Sequence, residues 1–208
     1  MSPPATRENA LARGRQIRLL LLDVDGVMSD GRIIYDSEGL ELKAFHCQDG
    51  LGLRLLADHG IATGIITART SKAVRCRAAE LHMRHVVENC RDKLASFEAI
   101  LEHDKLAATE CAYMGDDWID LPLLNRVGLA LAPANAVPEV RSRAHFVSTR
   151  AGGQGAVREV CDLLLEAHGL REKCLAQLPQ YSFSRRLVSP FVSRSYQPRV
   201  VLLSWVPV

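Results

Sequence analysis

The sequence predicts an α/β fold, a Rossmann-like doubly wound parallel sheet, and three observations predict it. Short apolar runs alternate with segments of helical spacing through residues 17–169. The runs are continuously apolar, as strands buried on both faces are. Acidic, hydroxyl-bearing and basic residues gather where the runs end, which is where ligands bind in sheets of this kind. With 208 residues, 48% of them apolar, the chain can bury one sizeable core, so a single domain with appended segments is expected.

Residues 1–16 form a polar N-terminal segment, and IRLLLL (17–22) is the first strand. An insertion follows it: GRIIYDSEGLELKAF (31–45) has the pattern of a β-hairpin. Gly39 tolerates the positive φ of a turn, and Leu40, Leu42 and Ala44 alternate with Glu41 and Lys43. Such a hairpin serves as a lid, a subunit contact or a decorated loop. Its small apolar face has no second layer in the sequence to cover it, a shortfall that a neighbouring subunit would make good.

The remaining elements alternate. A helix over 50–59 has Asp49 as its N-cap and Gly60 as its stop; IATGII (61–66) is a strand; a helix over 71–82 starts at Ser71. A helix over 92–104, the strand CAYM (111–114), a helix over 118–126 and the strand GLAL (128–131) come next. A final amphipathic helix spans 155–168 and ends at Gly169. Strand and helix in alternation imply parallel strands with helices on both faces.

Residues 170–208 read as an atypical C-terminal tail. From Lys173 onward there are five basic residues, no Asp or Glu, four of the nine prolines and six serines, without sustained helical periodicity. Disorder is expected for most of it, with the apolar, β-prone VVLLSWV as the exception.

Charge and cysteine usage exclude some functions. The net charge is +2; without the five basic residues of the tail, residues 1–172 hold 21 basic and 24 acidic residues, a balance of −3. A mildly acidic body gives no electrostatic reason to expect nucleic-acid binding. Six scattered cysteines, with no C-x-x-C pair, suit reduced thiols in the cytoplasm. The N-terminus lacks the apolar core of a secretory signal, and no run reaches the roughly 18 apolar residues a membrane span needs. A cytoplasmic protein with no membrane partner is the expectation.

Four strand or helix ends bring chemistry together. The first strand delivers Asp23 and Asp25, the second Thr67 with Arg69, the helix at 92 Lys93, and the strand at 111–114 Gly115, Asp116, Asp117 and Asp120. Singly, a D-x-D is a solvated loop, a threonine after a strand a helix cap, and a lysine a surface residue. Jointly, each at an element end facing one crevice, they form a candidate site. Gly50 and Gly52 stand at a helix start, where free backbone N–H groups can meet a carboxylate or hydroxyls; steric need in a tight turn is the competing explanation.

D-x-D-G after the first strand, threonine after the second, lysine before a later helix and G-D-D-x-x-D after a further strand resemble the haloacid dehalogenase superfamily of phosphohydrolases. DVDGVMSDG, the hairpin segment IIYDSEGLELKAFHCQDGLGLRLL, GIITART, DKLASFE, YMGDDWIDLPLL and AGGQGAVREVCDLLL narrow the resemblance to the 3-deoxy-D-manno-octulosonate 8-phosphate phosphatases, over residues 17–169. The hairpin and the last segment do the narrowing, because the other motifs are shared across the superfamily.

The resemblance implies a haloacid dehalogenase-like fold without a large cap domain, and a Mg²⁺-dependent phosphatase in lipopolysaccharide precursor synthesis. In it Asp23 attacks phosphorus to form an aspartyl-phosphate, and Asp25 protonates the leaving sugar oxygen and then activates water. Asp23 and Asp116 bind the metal through side chains and Asp25 through its carbonyl, hard oxygen ligands that suit Mg²⁺. Thr67 and Lys93 hold the phosphoryl oxygens. Asp117 orients ligands or waters, and Asp120 either contributes or braces its helix. Arg77 aligns with an arginine used near the substrate, a solvated helix face being its alternative. The substrate is a small sugar-acid phosphate, and the assembly a homotetramer whose hairpin reaches a neighbouring active site. A phosphatase of a nine-carbon sugar-acid phosphate and a non-catalytic oligomerisation module of the same fold are the alternatives.

Two departures stand out. Ala68 replaces the glycine usual after the threonine, which puts the loop's backbone geometry in question. The tail continues for nearly forty residues beyond where family members end.

Overall fold

A computed structural model of the chain describes residues 6–177. Residues 178–208, most of the expected tail with VVLLSWV, lie outside the described residues, as do residues 1–5. The central sheet has six parallel strands in the order β5-β4-β1-β6-β7-β8: β1 (Leu19–Leu22), β4 (Ala62–Ile66), β5 (His85–Val87), β6 (Cys111–Met114), β7 (Leu129–Ala132) and β8 (Phe146–Val147). A separate antiparallel pair, β2 (Ile34–Tyr35) and β3 (Glu41–Leu42), is the hairpin expected after the first strand, with Gly39 at φ +78° in its turn.

The four leucines of β1 explain its central place. Successive side chains of a strand point to opposite faces, so Leu20 and Leu22 enter one core layer and Leu19 and Leu21 the other, all fully buried. The first layer holds Leu53 and Leu56 of α2 (Cys47–Asp58), Val74 and Ala78 of α3 (Lys72–Glu80), and the apolar stripe of α7 (Ala156–Ala167). The second holds Phe97 and Ile100 of α4 (Lys93–Asp104), Leu123 and Leu124 of α5 (Leu121–Leu124), and Val140 of α6 (Pro138–Arg143). Parallel strands covered on both faces are what the continuous apolar runs require.

Several boundaries differ from the expected ones. Helix α2 starts at Cys47 with His46 as N-cap; Asp49 is no cap but a buried first-turn residue whose carboxylate accepts from Arg158 N at 2.8 Å. In place of a helix over 118–126 there is a 3₁₀ turn (Trp118–Asp120) and then the one-turn α5, with Pro122 in its first turn. Strands β5 and β8, of three and two residues, carry too short an apolar run to be read from periodicity. Helix α1 (Arg7–Gly14) occupies part of the polar N-terminal segment: Thr6 caps it, Arg7 pairs with Glu166, and Gly14 lies where a Cβ would stand 2.9 Å from Ala167. Helix α8 (Arg171–Gln177) is the described part of the tail, anchored by buried Cys174. Among the described residues, no helix is long and apolar enough to cross a membrane.

Candidate active site

Parallel pairing of β1 with β6 sets Leu22 beside Met114, so the residues that follow both strands leave the sheet at the same edge. Asp23 donates its backbone N–H to Met114 O at 2.9 Å and is buried. At this edge the carboxylates of Asp23, Asp116 and Asp120 place oxygens within 4.8 Å of one another.

Three like charges so close need compensation, and Lys93 supplies it. The first residue of α4, it sends Nζ to 2.9 Å from Asp23 Oδ1 and 2.7 Å from Asp120 Oδ1, and donates to Tyr113 Oη at 3.2 Å. Burial opposes the ammonium charge, but Asp23 and Asp120 outweigh it and hold its pKa above the usual lysine value. Burial drives the Asp23 carboxyl up to about 6 against the pull of Lys93, and drives Asp116 up to about 7, with Asp23, Asp120 and Asp117 adding repulsion.

Asp120 is a brace. Fully buried, it accepts from Lys93 and, at 2.7 Å, from Tyr113 Oη on one oxygen, and from the backbone N–H of Asp116 (2.9 Å) and Asp117 (3.2 Å) on the other. Asp117 accepts from Trp118 N at 2.7 Å, capping the 3₁₀ turn. With the Asp120 oxygens occupied, Asp23 and Asp116 are the carboxylates left to meet a ligand. A set of hard oxygens whose burial, together with their repulsion, raises their pKa values fits Mg²⁺, which relieves that repulsion on binding.

Gly26 makes this convergence sterically feasible. Its φ is +87°, and a Cβ there would lie 2.1 Å from Asp116 Oδ2. Its carbonyl accepts from Asn135 Nδ2 at 3.0 Å, and Asn135 Oδ1 accepts from Gly152 N at 2.7 Å. A Cβ on Gly152 would come within 1.9 Å of Gly26 O. The AGGQG segment is thus laid against the loop that carries Asp25.

The Asp25 side chain is held differently. Lys43 of the hairpin is bonded to its Oδ1, Arg69 Nε lies 3.7 Å from Oδ2, and Ser29 Oγ donates to Oδ1 at 3.3 Å. One intervening residue therefore turns Asp23 towards Lys93 and Asp25 towards the hairpin. Thr67 is buried at the end of β4, its Oγ1 accepting from Arg69 N at 3.2 Å. The non-glycine residues at positive φ among the described residues are His82, Asn89 and Lys105, so Ala68 is accommodated without left-handed backbone.

Gly50, Gly52 and Arg77 sit along α2 and α3. A Cβ on Gly50 would meet Arg77 Nη2 at 2.2 Å, and one on Gly52 would meet Cys161 Cβ at 2.8 Å, so close packing is reason enough for both glycines. Arg77 lies 6.0 Å over the Phe45 ring, pairs with Glu80, and sends Nη2 to 3.5 Å from His46 O. Asp30 accepts from Arg32 N at 3.0 Å at the hairpin's start. Lys43, Glu41, Tyr113 and Asn135 escaped the sequence reading. For the first two, the alternation of the hairpin marks a shared face but not which way it points.

Comparison with known proteins identifies the family. Residues 54–160 match the family of haloacid dehalogenase-like hydrolases. The 3-deoxy-D-manno-octulosonate 8-phosphate phosphatase KdsC of Escherichia coli (strain K12) is 46% identical over 169 residues, 81% of this chain and 90% of that one. A crystal structure of the phosphatase from Moraxella catarrhalis in complex with magnesium ion, phosphate ion and a KDO molecule superposes with a TM-score of 0.81 at 39% identity, covering 82% of this chain and 98% of that one. The Yersinia pestis phosphatase gives 0.78 at 44%, covering 79% and 89%. On fold, site and relatedness together, the chain belongs to the 3-deoxy-D-manno-octulosonate 8-phosphate phosphatase family of haloacid dehalogenase-like hydrolases.

Proposed function

We propose that this chain is a Mg²⁺-dependent phosphomonoester hydrolase that converts 3-deoxy-D-manno-octulosonate 8-phosphate to 3-deoxy-D-manno-octulosonate and phosphate, a cytoplasmic step of lipopolysaccharide precursor synthesis. The observation that carries the reading is the buried Asp23 carboxylate held 2.9 Å from Lys93 and grouped with Asp116. Relatives 46% identical over four-fifths of the chain support the choice of substrate.

Each residue then has a task. Lys93 fixes the Asp23 carboxylate for attack on phosphorus, and with Thr67 it receives the phosphoryl oxygens as their charge shifts. Asp25 gives a proton to the sugar oxygen as the P–O bond breaks, leaving an aspartyl-phosphate on Asp23. It then takes a proton from the water that attacks that phosphorus, which frees Asp23 and inorganic phosphate. Asp23 and Asp116 through carboxylates, and Asp25 through its carbonyl, would hold Mg²⁺; when bound, the metal supplies the positive charge that lets an anion approach a phosphate. Arg69 and Arg77 are the cations assigned to the sugar acid, which would share them with Glu41 and Glu80.

The assembly belongs to the same proposal. Ile33, Ile34, Tyr35, Leu40 and Leu42 expose a large apolar face on the hairpin, which suits burial against a second copy in a homotetramer. Phosphate release from sugar-acid phosphates, with Mg²⁺ and with chelator, tests the function: wild-type turnover requires the metal, and Asp23→Asn abolishes it. Turnover that survives Asp23→Asn would overturn the covalent route.

A further inference from the structure

The hairpin carries its amphipathicity inside out. Leu40 and Leu42 are exposed, while Glu41 and Lys43, which alternate with them, face inwards; the Lys43 side chain is 1% exposed. An ammonium group so deeply buried requires compensating charge. It finds Asp25 Oδ1, to which it is bonded, and Glu41 Oε1 at 3.3 Å. Arg69 closes the circuit, with Nη2 at 2.9 Å from Glu41 Oε1 and Nε at 3.7 Å from Asp25 Oδ2. Two acidic and two basic residues alternate round a ring, and Tyr35 Oη accepts from Arg69 at 3.4 Å on its outer side.

Both oxygens of Asp25 are engaged by this ring, whereas Lys93 engages Asp23 and Asp120. We propose that Lys43 is a positioning residue for the reaction: it fixes the Asp25 carboxyl where it exchanges protons with the leaving oxygen and the attacking water, and so makes that exchange depend on the hairpin. The inference rests on the acid–base role proposed above for Asp25. A carboxyl free to rotate spends little time in a productive geometry, and displacement of a reacting group by an ångström can cost about a hundredfold in rate.

Leaving-group chemistry separates positioning from mere structure. 4-Nitrophenolate departs without needing a proton, whereas an alkoxide does not. Lys43→Met keeps the length of the side chain and removes its charge. Its single-turnover release of nitrophenolate from 4-nitrophenyl phosphate is expected to stay within about threefold of wild type, which also reports an intact fold. Its kcat on an alkyl phosphomonoester is expected to fall about 10- to 100-fold with KM changed by less than about threefold, and Lys43→Arg to recover part of the loss. Parallel loss on both substrates, or undiminished alkyl turnover, would overturn the proposal. Asp25→Asn, measured alongside, tests the underlying reading: if it shows no selectivity for the aryl substrate, the acid–base role falls and the inference with it. Wild-type enzyme that ignores sugar-acid phosphates but cleaves other alkyl phosphates would overturn the substrate alone, and the Lys43 comparison would be decided on those.

Discussion

Lys93 Nζ and Asp120 Oδ1 lie 2.7 Å apart in the interior, and through that bond a residue at the start of α4 is fixed against the end of β6. Asp120 has no exposed surface and four donors on its two oxygens. Asp120→Ala would leave a tyrosine hydroxyl and two backbone N–H groups without their acceptor and the buried Lys93 ammonium with Asp23 as its remaining carboxylate, and is expected to destabilise the fold by about 3–5 kcal/mol. Asp120→Asn keeps the shape but loses the charge that balances Lys93. Thermal denaturation should separate the two variants, and kcat of Asp120→Asn should fall by at least about tenfold, roughly 1.4 kcal/mol of activation free energy.

The metal-free site favours protons. Asp23 and Asp116 titrate near 6 and 7 in the fold, against 3.8 for an unperturbed aspartate. Between pH 4 and 7 these two carboxyls therefore hold more protons in the folded chain than in the unfolded one, and their contribution to the stability of the metal-free protein falls as pH rises through that window. Mg²⁺ competes with those protons, so its affinity should weaken as pH drops below 7. At 100 times its dissociation constant at pH 8, the metal is expected to raise the melting temperature by about 5–10 °C, and much less at pH 5.5. Calorimetric scans with Mg²⁺ or chelator at the two pH values check both signs; an equal gain at both would contradict the raised carboxyl pKa values.

Gly26 and Gly60 make a matched pair. Both adopt nearly the same positive φ, +87° and +86°, but an added Cβ at Gly26 strikes Asp116 whereas at Gly60 it meets nothing within 4 Å. Gly60→Ala should cost about 1–2 kcal/mol of stability from backbone strain, with activity retained. Gly26→Ala carries the same strain and displaces a carboxylate assigned to the metal. Its Mg²⁺ dissociation constant, followed by titration calorimetry, should rise by more than about tenfold, while that of Gly60→Ala stays at the wild-type value.

The sequence made legible what depends on long apolar runs. Asp23, Asp25, Thr67 and Asp116 could be placed because strands β1, β4 and β6 end where their hydrophobic residues end, and Lys93 because it opens a helix. Strands β5 and β8 were too short to leave a pattern. Glu41 and Lys43 were visible as one face of a hairpin, yet polar faces ordinarily meet water, and only the charge of Asp25 and Arg69 turns this one inward. Asp120 is legible as the last acid of the G-D-D-x-x-D motif, which either contributes to the site or braces its helix. Its burial depends on Tyr113 and Lys93, which folding brings to it. Gly52 owes its identity to Cys161, more than a hundred residues away.

The inverted hairpin leads to the last prediction. A single chain leaves Ile33, Ile34, Tyr35, Leu40 and Leu42 in water beside a buried ring of charges. Apolar surface of this kind is the usual mark of a subunit contact, and a two-stranded hairpin is marginal without a partner layer. Leu40→Asp with Leu42→Asp places two charges on that face and leaves Glu41 and Lys43 in place. Light scattering should show wild-type protein as a tetramer and the double variant as a smaller species, with the far-ultraviolet dichroism of the sheet and helices unchanged. If the contact also orders the hairpin, Lys43 loses its fixed geometry on dissociation, and alkyl phosphate turnover should fall with the mass while single-turnover cleavage of 4-nitrophenyl phosphate persists. A wild-type monomer with full activity would sink the proposed assembly. It would also show that the inward-facing charges hold the hairpin down unaided.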